Sequence, residues 1–357
     1  MPDALDTGLR SSRPSVLVGG EENGPLGGGL LRLVVVEDTA GLYRCEARFG
    51  NWGPVNNTTD FLYFDRRTLD FGKDFQIKSA GKTLFDGKIT AIEASFPEGQ
   101  AAEISVLAED RFQDLRMTRR TRTFSDVSDS EVFNQIAGDH GLQAGVEVSG
   151  PTHKVLAQVN QSDLAFMRER ARSIEAELWI ESGRLNVKTR ANRRGATLEL
   201  SHGNKLREFK VVADLAGQRT GVTVAGWDVS GKSEVKHEAT ASVIGGELNG
   251  DTSGVEILRT AFGERKESLV HTVPLDSSEA QTEAESYFKM GARRFLTGRG
   301  VAETDADLRV GAYVDLQNIG PLFSGKYYVA EVRHLFDNVK GTRTEFRAER
   351  PGIGRAR

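Results

Sequence analysis

The chain has 357 residues, of which 38% are hydrophobic and 27% charged, the composition of an ordinary globular protein of about two or three domains. Its 47 basic and 51 acidic residues leave a net charge of −4, so no global field favours stable binding to nucleic acid or a membrane. Cys45 is the one cysteine, which excludes intrachain disulfides and a zinc site of several thiolates. The opening "MPDALDTGLRSSRP" has neither the basic nor the apolar region of a secretory signal. The longest apolar runs, such as Leu33–Val36, are far short of the ~20 residues that span a bilayer. Synthesis and folding in the cytoplasm are expected.

Along the chain, residues 1–13 read as an N-terminal arm. Glycines at 19, 20, 24, 27, 28 and 29, with Pro14 and Pro25, exclude a helix and leave a loop around a short strand, Ser15–Val18. In "YRCEARF", Tyr43, Cys45, Ala47 and Phe49 alternate with charged residues, the period of a half-buried strand. "KITAIEASF" and "EISVLAED" continue this β-rich region to Asp110. From Thr123 the pattern changes. Ser128 and Glu131 form a capping-box pattern before the apolar face of Val132, Phe133, Ile136 and Ala137, with Gly141 as a stop. A second helix starts at Ser162–Asp163, with Leu164, Met167, Ala171 and Ile174 on one face. The hairpin "ELWIES" and "RLNVKT" follows, turning at Ser182-Gly183. Two further strands lie within "FKVVADLAGQRTGVTVAGWDV", and a polar, glycine-rich stretch follows at about 241–270. A third helix is expected to open at Ser278–Gln281, to turn Ala280, Ala284, Tyr287, Phe288 and Phe295 inward, and to end at Gly298. "AYVDLQNI", "KYYVAEVRHLF" and "TRTEFRAER" are the last strands.

One segment recurs. "LDFGKDFQIKSAGKTLFDGK" (residues 69–88) aligns with "LRVGAYVDLQNIGPLFSGK" (residues 308–326). Leu69 matches Leu308, Gly72 matches Gly311, Phe75 matches Val314, Ile77 matches Leu316 and Gly81 matches Gly320, all at a separation of 239. After a one-residue deletion "LFDGK" matches "LFSGK", pairing Gly87 with Gly325. The glycines fall where a chain turns or takes positive φ, and the apolar matches alternate as in strands. Shared hairpin grammar could produce such a match, but near-constant spacing over twenty residues favours one β unit used twice. Superposition should then place Gly87 on Gly325.

The middle of the chain resembles the phage late-control D family, which includes baseplate hub proteins of contractile tails and the hub part of type VI secretion spike proteins. The residues that carry the likeness are Gln158 and the helix start Ser162, Asp163, Leu164, Ala165, Phe166, Met167 and Arg168, followed by the hairpin. The C-terminal run from Leu308 to Arg350 looks like that family's last barrel. The resemblance implies an α+β, mainly β fold, with two tail-tube-like β-barrel domains (14–115 and 191–357) flanking an α/β middle domain (116–190). An inserted segment, 241–299, is expected in the second barrel. It also implies a homotrimer in which three subunits present six barrels to a six-fold inner tube and a three-fold face to a spike. Tube, spike and other baseplate proteins are then the partners, in a phage tail or contractile injection particle assembled in the cytoplasm. Type VI spike proteins continue into a further domain and a needle, whereas this chain stops at Arg357, so a separate spike polypeptide is expected.

Catalytic signals are weak. The histidines at 140, 153, 202, 237, 271 and 334 are dispersed, and no nucleophile elbow or phosphate-binding loop is present. No catalytic, cofactor or metal residues are assigned. Cys45 has the phase of a core residue. In "RMTRRTR", Arg116, Arg119, Arg120 and Arg122 read as a solvated strand or linker, or alternatively as contacts to passing DNA or acidic neighbours. Asp163 is expected to stabilise its helix start through the dipole, and Phe166 and Trp179 to fill the core. Trp52, in "NWGPVNNTTD", is a possible interface residue. The expected function is a non-enzymatic trimeric hub. The alternatives are a tail-associated cell-wall hydrolase and a cargo-binding spike hub.

Overall fold

The structure, a computed structural model, describes residues 13–228, 231–270 and 274–355. The expected arm, apart from Arg13, and His271 lie outside the described residues. Ten strands carry the repeat: β1 (Leu30–Asp38), β2 (Arg44–Gly50), β3 (Asp74–Ser79), β4 (Lys82–Ser95), β5 (Glu103–Glu109), β6 (Leu206–Ala213), β7 (Leu296–Ala302), β8 (Tyr313–Gln317), β9 (Gly325–Asp337) and β10 (Gly341–Arg350). Alternation sets their faces. In β2, for example, Cys45, Ala47 and Phe49 are buried while the residues between them are partly exposed.

Both halves follow one plan. The first pairs in the order β1-β2-β5-β4-β3 and the second in the order β6-β7-β10-β9-β8, with every pair antiparallel. The irregularities coincide too. The register shifts between Leu30 and Arg32 and between Leu206 and Glu208 at matching places, and again between Ile89 and Ala91 and between Val329 and Glu331. At the turn before β3, the Gly72 amide donates to the Ile89 carbonyl and the Ile89 amide to Lys73. Before β8, the Gly311 amide donates to Val329 and the Val329 amide to Ala312. Gly72 and Gly311 have φ of 76° and 92°, and Gly81 and Gly320 have φ of 80° and 85°, conformations that favour glycine.

The last pair of glycines behaves differently. Gly87 lies opposite Phe75, but Gly325 lies opposite Leu316, and the residue opposite Val314 is Tyr327. The register therefore places Gly87 on Tyr327, two residues from the position expected from "LFSGK". The two glycines also answer different constraints. A Cβ on Gly87 would lie 2.2 Å from the Glu109 carbonyl oxygen, whereas Gly325 has φ of 132°.

Among the described residues the expected barrels are not closed. Both units belong to one open sheet of 13 strands that ends at β6 on one side and at Glu21–Glu22 on the other. The short β8 covers only the first part of β9, and Glu331–Asp337 of β9 pairs instead with Arg32–Asp38 of β1. This pairing buries Phe336 in the core of the first unit with Leu33, Val35 and Phe49. The second unit has its own core around Leu296, Val314, Tyr327 and Phe346.

A third core belongs to the middle residues. Strands Arg119–Ser128 and Thr152–Ser162 form a pair that was not legible in the sequence, and Gln143–Glu147, Ala176–Glu181 and Arg184–Thr189 form a three-stranded sheet. Helix Asp129–Asp139 has the full capping box, with Glu131 and Ser128 each satisfying the other's backbone. A fourth core joins Gly221–Asp228, Ser233–Thr240 and Lys266–Leu269 to helix Ser277–Ala292. The inserted segment is therefore part of a larger unit that starts before residue 241.

Three local expectations change. A five-residue helix, Gly24–Gly28, exists because Asn23 caps it, Pro25 fits its first turn and Leu26 is buried. The stretch after Ala241 contains a 3₁₀ helix, Ala241–Glu247, and an α-helix, Gly254–Phe262, capped by Ser253. The third long helix is capped by Asp276, which accepts from the Ser278 and Glu279 amides. It ends at Ala292, so Gly298 lies in β7, and Tyr287 is on its exposed side.

Candidate functional site

The motif residues form a polar cluster at the base of helix Asp163–Ser173. Ser162 caps the helix by accepting from the Ala165 amide at 3.2 Å. The Asp163 side chain, 1% exposed, has four partners. Arg122 Nη2 and Gln158 Nε2 donate to Oδ1 at 2.8 and 2.9 Å, while His140 Nε2 and Arg120 Nε lie 2.8 and 3.1 Å from Oδ2. Burial alone would raise the Asp163 pKa, but its hydrogen bonds and the two arginines outweigh it and hold the carboxyl below the usual range. Buried Gln158 connects the parts, since its Oε1 accepts from Arg122 Nε at 2.8 Å.

This cluster also accounts for the basic run. Arg116 pairs with Glu109 at 2.5 Å, Arg119 donates to the Asn160 carbonyl at 2.9 Å, and Arg122 reaches Asp139 at 2.7 Å. Arg119, Arg120 and Arg122 belong to a paired strand rather than a linker, and these guanidinium groups bind acceptors of their own chain. The expected role of Asp163 also widens, from a dipole partner to the acceptor at the centre of the cluster.

The rest of the motif is packing and attachment. Phe166 stacks on Phe124 with ring centroids 5.8 Å apart. Arg168 fastens the middle core to the first sheet, donating to the Ala40 and Gly41 carbonyls at 2.8 and 2.9 Å. Gly41 has φ of 70°, and a Cβ there would lie 2.6 Å from the Phe112 ring. The motif therefore holds two units together.

A second polar junction was not anticipated. Buried Arg193 donates to Glu177 Oε2 at 2.9 Å, to the Tyr43 hydroxyl at 3.2 Å and to the Val310 carbonyl at 2.6 Å. Three units thus meet on one guanidinium. Arg190 reaches Glu349 at 3.0 Å, Tyr328 donates to Glu177, and Arg309 pairs with Glu37. Burial pushes the Glu37 pKa up, partly offset by Arg309. Arg193 stays cationic, its pKa raised by nearby tyrosines and Glu177 despite the opposing effect of burial. Its partners are more than 100 residues away in sequence, apart from Glu177, so local pattern could not reveal it.

Trp52 takes a different place. It starts the hairpin Trp52–Val55/Thr58–Phe61, whose base is tied by Asn51 Oδ1 accepting from the Leu62 and Tyr63 amides at 3.1 and 2.7 Å. Its ring is 5.1 Å from Phe61, which is 6.0 Å from Phe96 and 5.0 Å from Phe64. Trp52 is 47% exposed and Phe96 67% exposed. Among the described residues, no hydrogen bond, ion pair or ring contact joins this aromatic cluster to the arginine run. Cys45 is buried, and burial raises its thiol pKa. Among the described residues, no group of three His, Cys, Asp or Glu side chains could hold a metal, and no helix is long and apolar enough to cross a membrane.

A family model described as the Alg8 N-terminal domain matches residues 56–338. No curated protein sequence matches the chain. Several solved structures share its fold. The 43 kDa tail protein of prophage MuSo2 from Shewanella oneidensis is 13% identical, with a TM-score of 0.70 over 95% of this chain and 98% of that one. A tail protein from Neisseria meningitidis MC58 is 15% identical, with a TM-score of 0.69 over 96% and 97%. An Escherichia coli component of the type VI secretion system, described as similar to the T4 bacteriophage tail proteins gp27 and gp5, is 12% identical, with a TM-score of 0.57 over 96% and 79%. At these identities the likeness is one of fold.

Proposed function

The chain belongs to the family described as the Alg8 N-terminal domain, and from its fold and internal repeat we propose that it is a structural hub of a contractile tail or injection particle. Three copies would form a ring that seats a six-fold inner tube on one side and a three-fold spike on the other. The observation that carries this reading is the doubled unit. Two five-stranded arrays with the same order and the same bulges stand side by side in one chain. Three chains then supply six similar surfaces, which is how a trimer can match a six-fold partner. The fold shared with tail proteins supports the same setting.

The polar clusters fit a structural role. The carboxylates of Asp163, Glu177 and Glu349 are buried and bound to arginines of the same chain, an arrangement that fixes domains rather than presenting an acid or base to a substrate. The native mass of the purified chain, measured by light scattering over a concentration series, tests the proposal. Three times the chain mass is expected at the upper concentrations. A monomer throughout the series, with turnover of peptidoglycan by the same sample, would replace the hub with the hydrolase.

A further inference from the structure

The join between the two units inside one chain supplies a template for the join between chains. Within the chain, the outer edge of β1 pairs with the last seven residues of β9 in an antiparallel register that sets Val36 opposite Arg333 and Leu33 opposite Phe336. The repeat gives each of these edges a counterpart. The counterpart of β1 is β6, since Leu30 and Leu206 occupy the same bulge position. The counterpart of the end of β9 is the end of β4, since Ile89 and Val329 occupy the other.

Among the described residues neither counterpart has a strand on that edge. β6 is the end strand of the sheet, with Lys210 and Val212 exposed. β4 pairs with β3 only as far as Lys88, which leaves the same side of Ala91–Ser95 open. Phe96 gives the independent sign. It is the counterpart of Phe336, which is 6% exposed in the first unit's core, yet Phe96 itself is 67% exposed. An aromatic side chain in a position that its twin buries is an interface residue without its partner.

We propose that a second copy of this chain covers both edges, β6 of one chain adding antiparallel to Ala91–Phe96 of the next. Transferring the internal register pairs Glu93 with Val212, Ala94 with Val211, Ser95 with Lys210 and Phe96 with Phe209. Phe209 packs against the second core and stands where Leu33 stands in the first, so Phe96 enters that core as Phe336 enters the first. Glu93 lies diagonal to Lys210, an attractive cross-strand neighbour. Each edge of one chain finds the other edge of the next, and a heterologous contact of this kind closes into a ring or continues as a helix. The inference rests on the trimeric hub reading and names the surface by which it forms.

Paired cysteines test the register on the full chain. In Glu93→Cys/Val212→Cys, mild oxidation should link chains into covalent dimers and trimers that reduction reverses. Glu93→Cys/Glu208→Cys, four residues out of register, should not link, and Cys45 is buried and silent. Phe96→Asp should shift the native mass to the monomer without changing the far-ultraviolet circular dichroism. A native trimer that neither links at Glu93/Val212 nor dissociates with Phe96→Asp would overturn this interface and leave the hub standing. A monomeric wild type would overturn both.

Discussion

Removing the Asp163 carboxylate should destabilise the middle core by about 3 kcal/mol. Breaking a buried ion pair from one side typically costs ~3–5 kcal/mol, because the partner charge is left desolvated. Asp163 serves two arginines, His140 and Gln158. Part of the cost is relieved, since Arg122 keeps Asp139 and Gln158 Oε1, and Arg120, 41% exposed, can turn to water. Gln158 is fully buried and loses a charged acceptor for its Nε2, although that group keeps the Gln161 carbonyl at 3.0 Å. These reductions favour the low end of the range. Asp163→Asn retains an oxygen acceptor but not the charge, and should cost about 2 kcal/mol. Urea unfolding followed by Trp179 fluorescence, in a Trp52→Phe/Trp227→Phe background, reports on the middle sheet where its strand Ala176–Glu181 packs on the first core. A loss below about 1 kcal/mol for Asp163→Ala would refute the view that the cluster fastens the motif helix.

Other substitutions test the repeat and its attachments. Gly72→Ala should cost about 1 kcal/mol through its positive φ alone, since no atom lies within 4 Å of the added methyl. Gly311→Ala, the same place in the second unit, should cost at least about 2 kcal/mol more, because its Cβ would meet Arg193 Nε at 2.1 Å; equal losses in thermal unfolding would deny the difference. Arg168→Ala should cost about 2 kcal/mol and speed hydrogen exchange around Gly41, while unchanged exchange would show that the bonds to Ala40 and Gly41 do not hold that turn. His153 lies between Asp129 and Glu279. Burial lowers its pKa, but these carboxylates outweigh burial and raise it above the ordinary value. Its contribution is therefore complete below about pH 6.5 and lost as pH rises through the raised folded-state pKa. Wild type should lose more stability than His153→Gln between pH 6 and pH 9, and parallel pH profiles would count against it.

The sheet was legible where one face is buried and the other wet. The alternation around Cys45, Ala47 and Phe49 needs no tertiary information, and neither do the glycines at Gly72 and Gly311, whose backbone geometry restricts the residue type. The pentapeptide match was less informative, because Gly87 avoids a neighbouring carbonyl while Gly325 takes a positive φ. Identical residues here answer different constraints two positions apart. The run at Arg119–Arg122 read only as a solvated strand or a linker, because its arginines are placed by partners such as Asp163 and Asp139 rather than by an apolar period. The junction on Arg193 is assembled from three units, and only folding brings Tyr43 and Val310 to it. Closed barrels were expected from the resemblance, but β9 spends its free edge on β1, and the two units share one open sheet.

Electron microscopy of the purified assembly, viewed down its axis, tests the central claim most directly. The account predicts a closed ring of six lobes with three-fold symmetry, alternate lobes belonging to the first and second units of three chains. A ring of six chains, or a three-lobed particle without paired units, would contradict it.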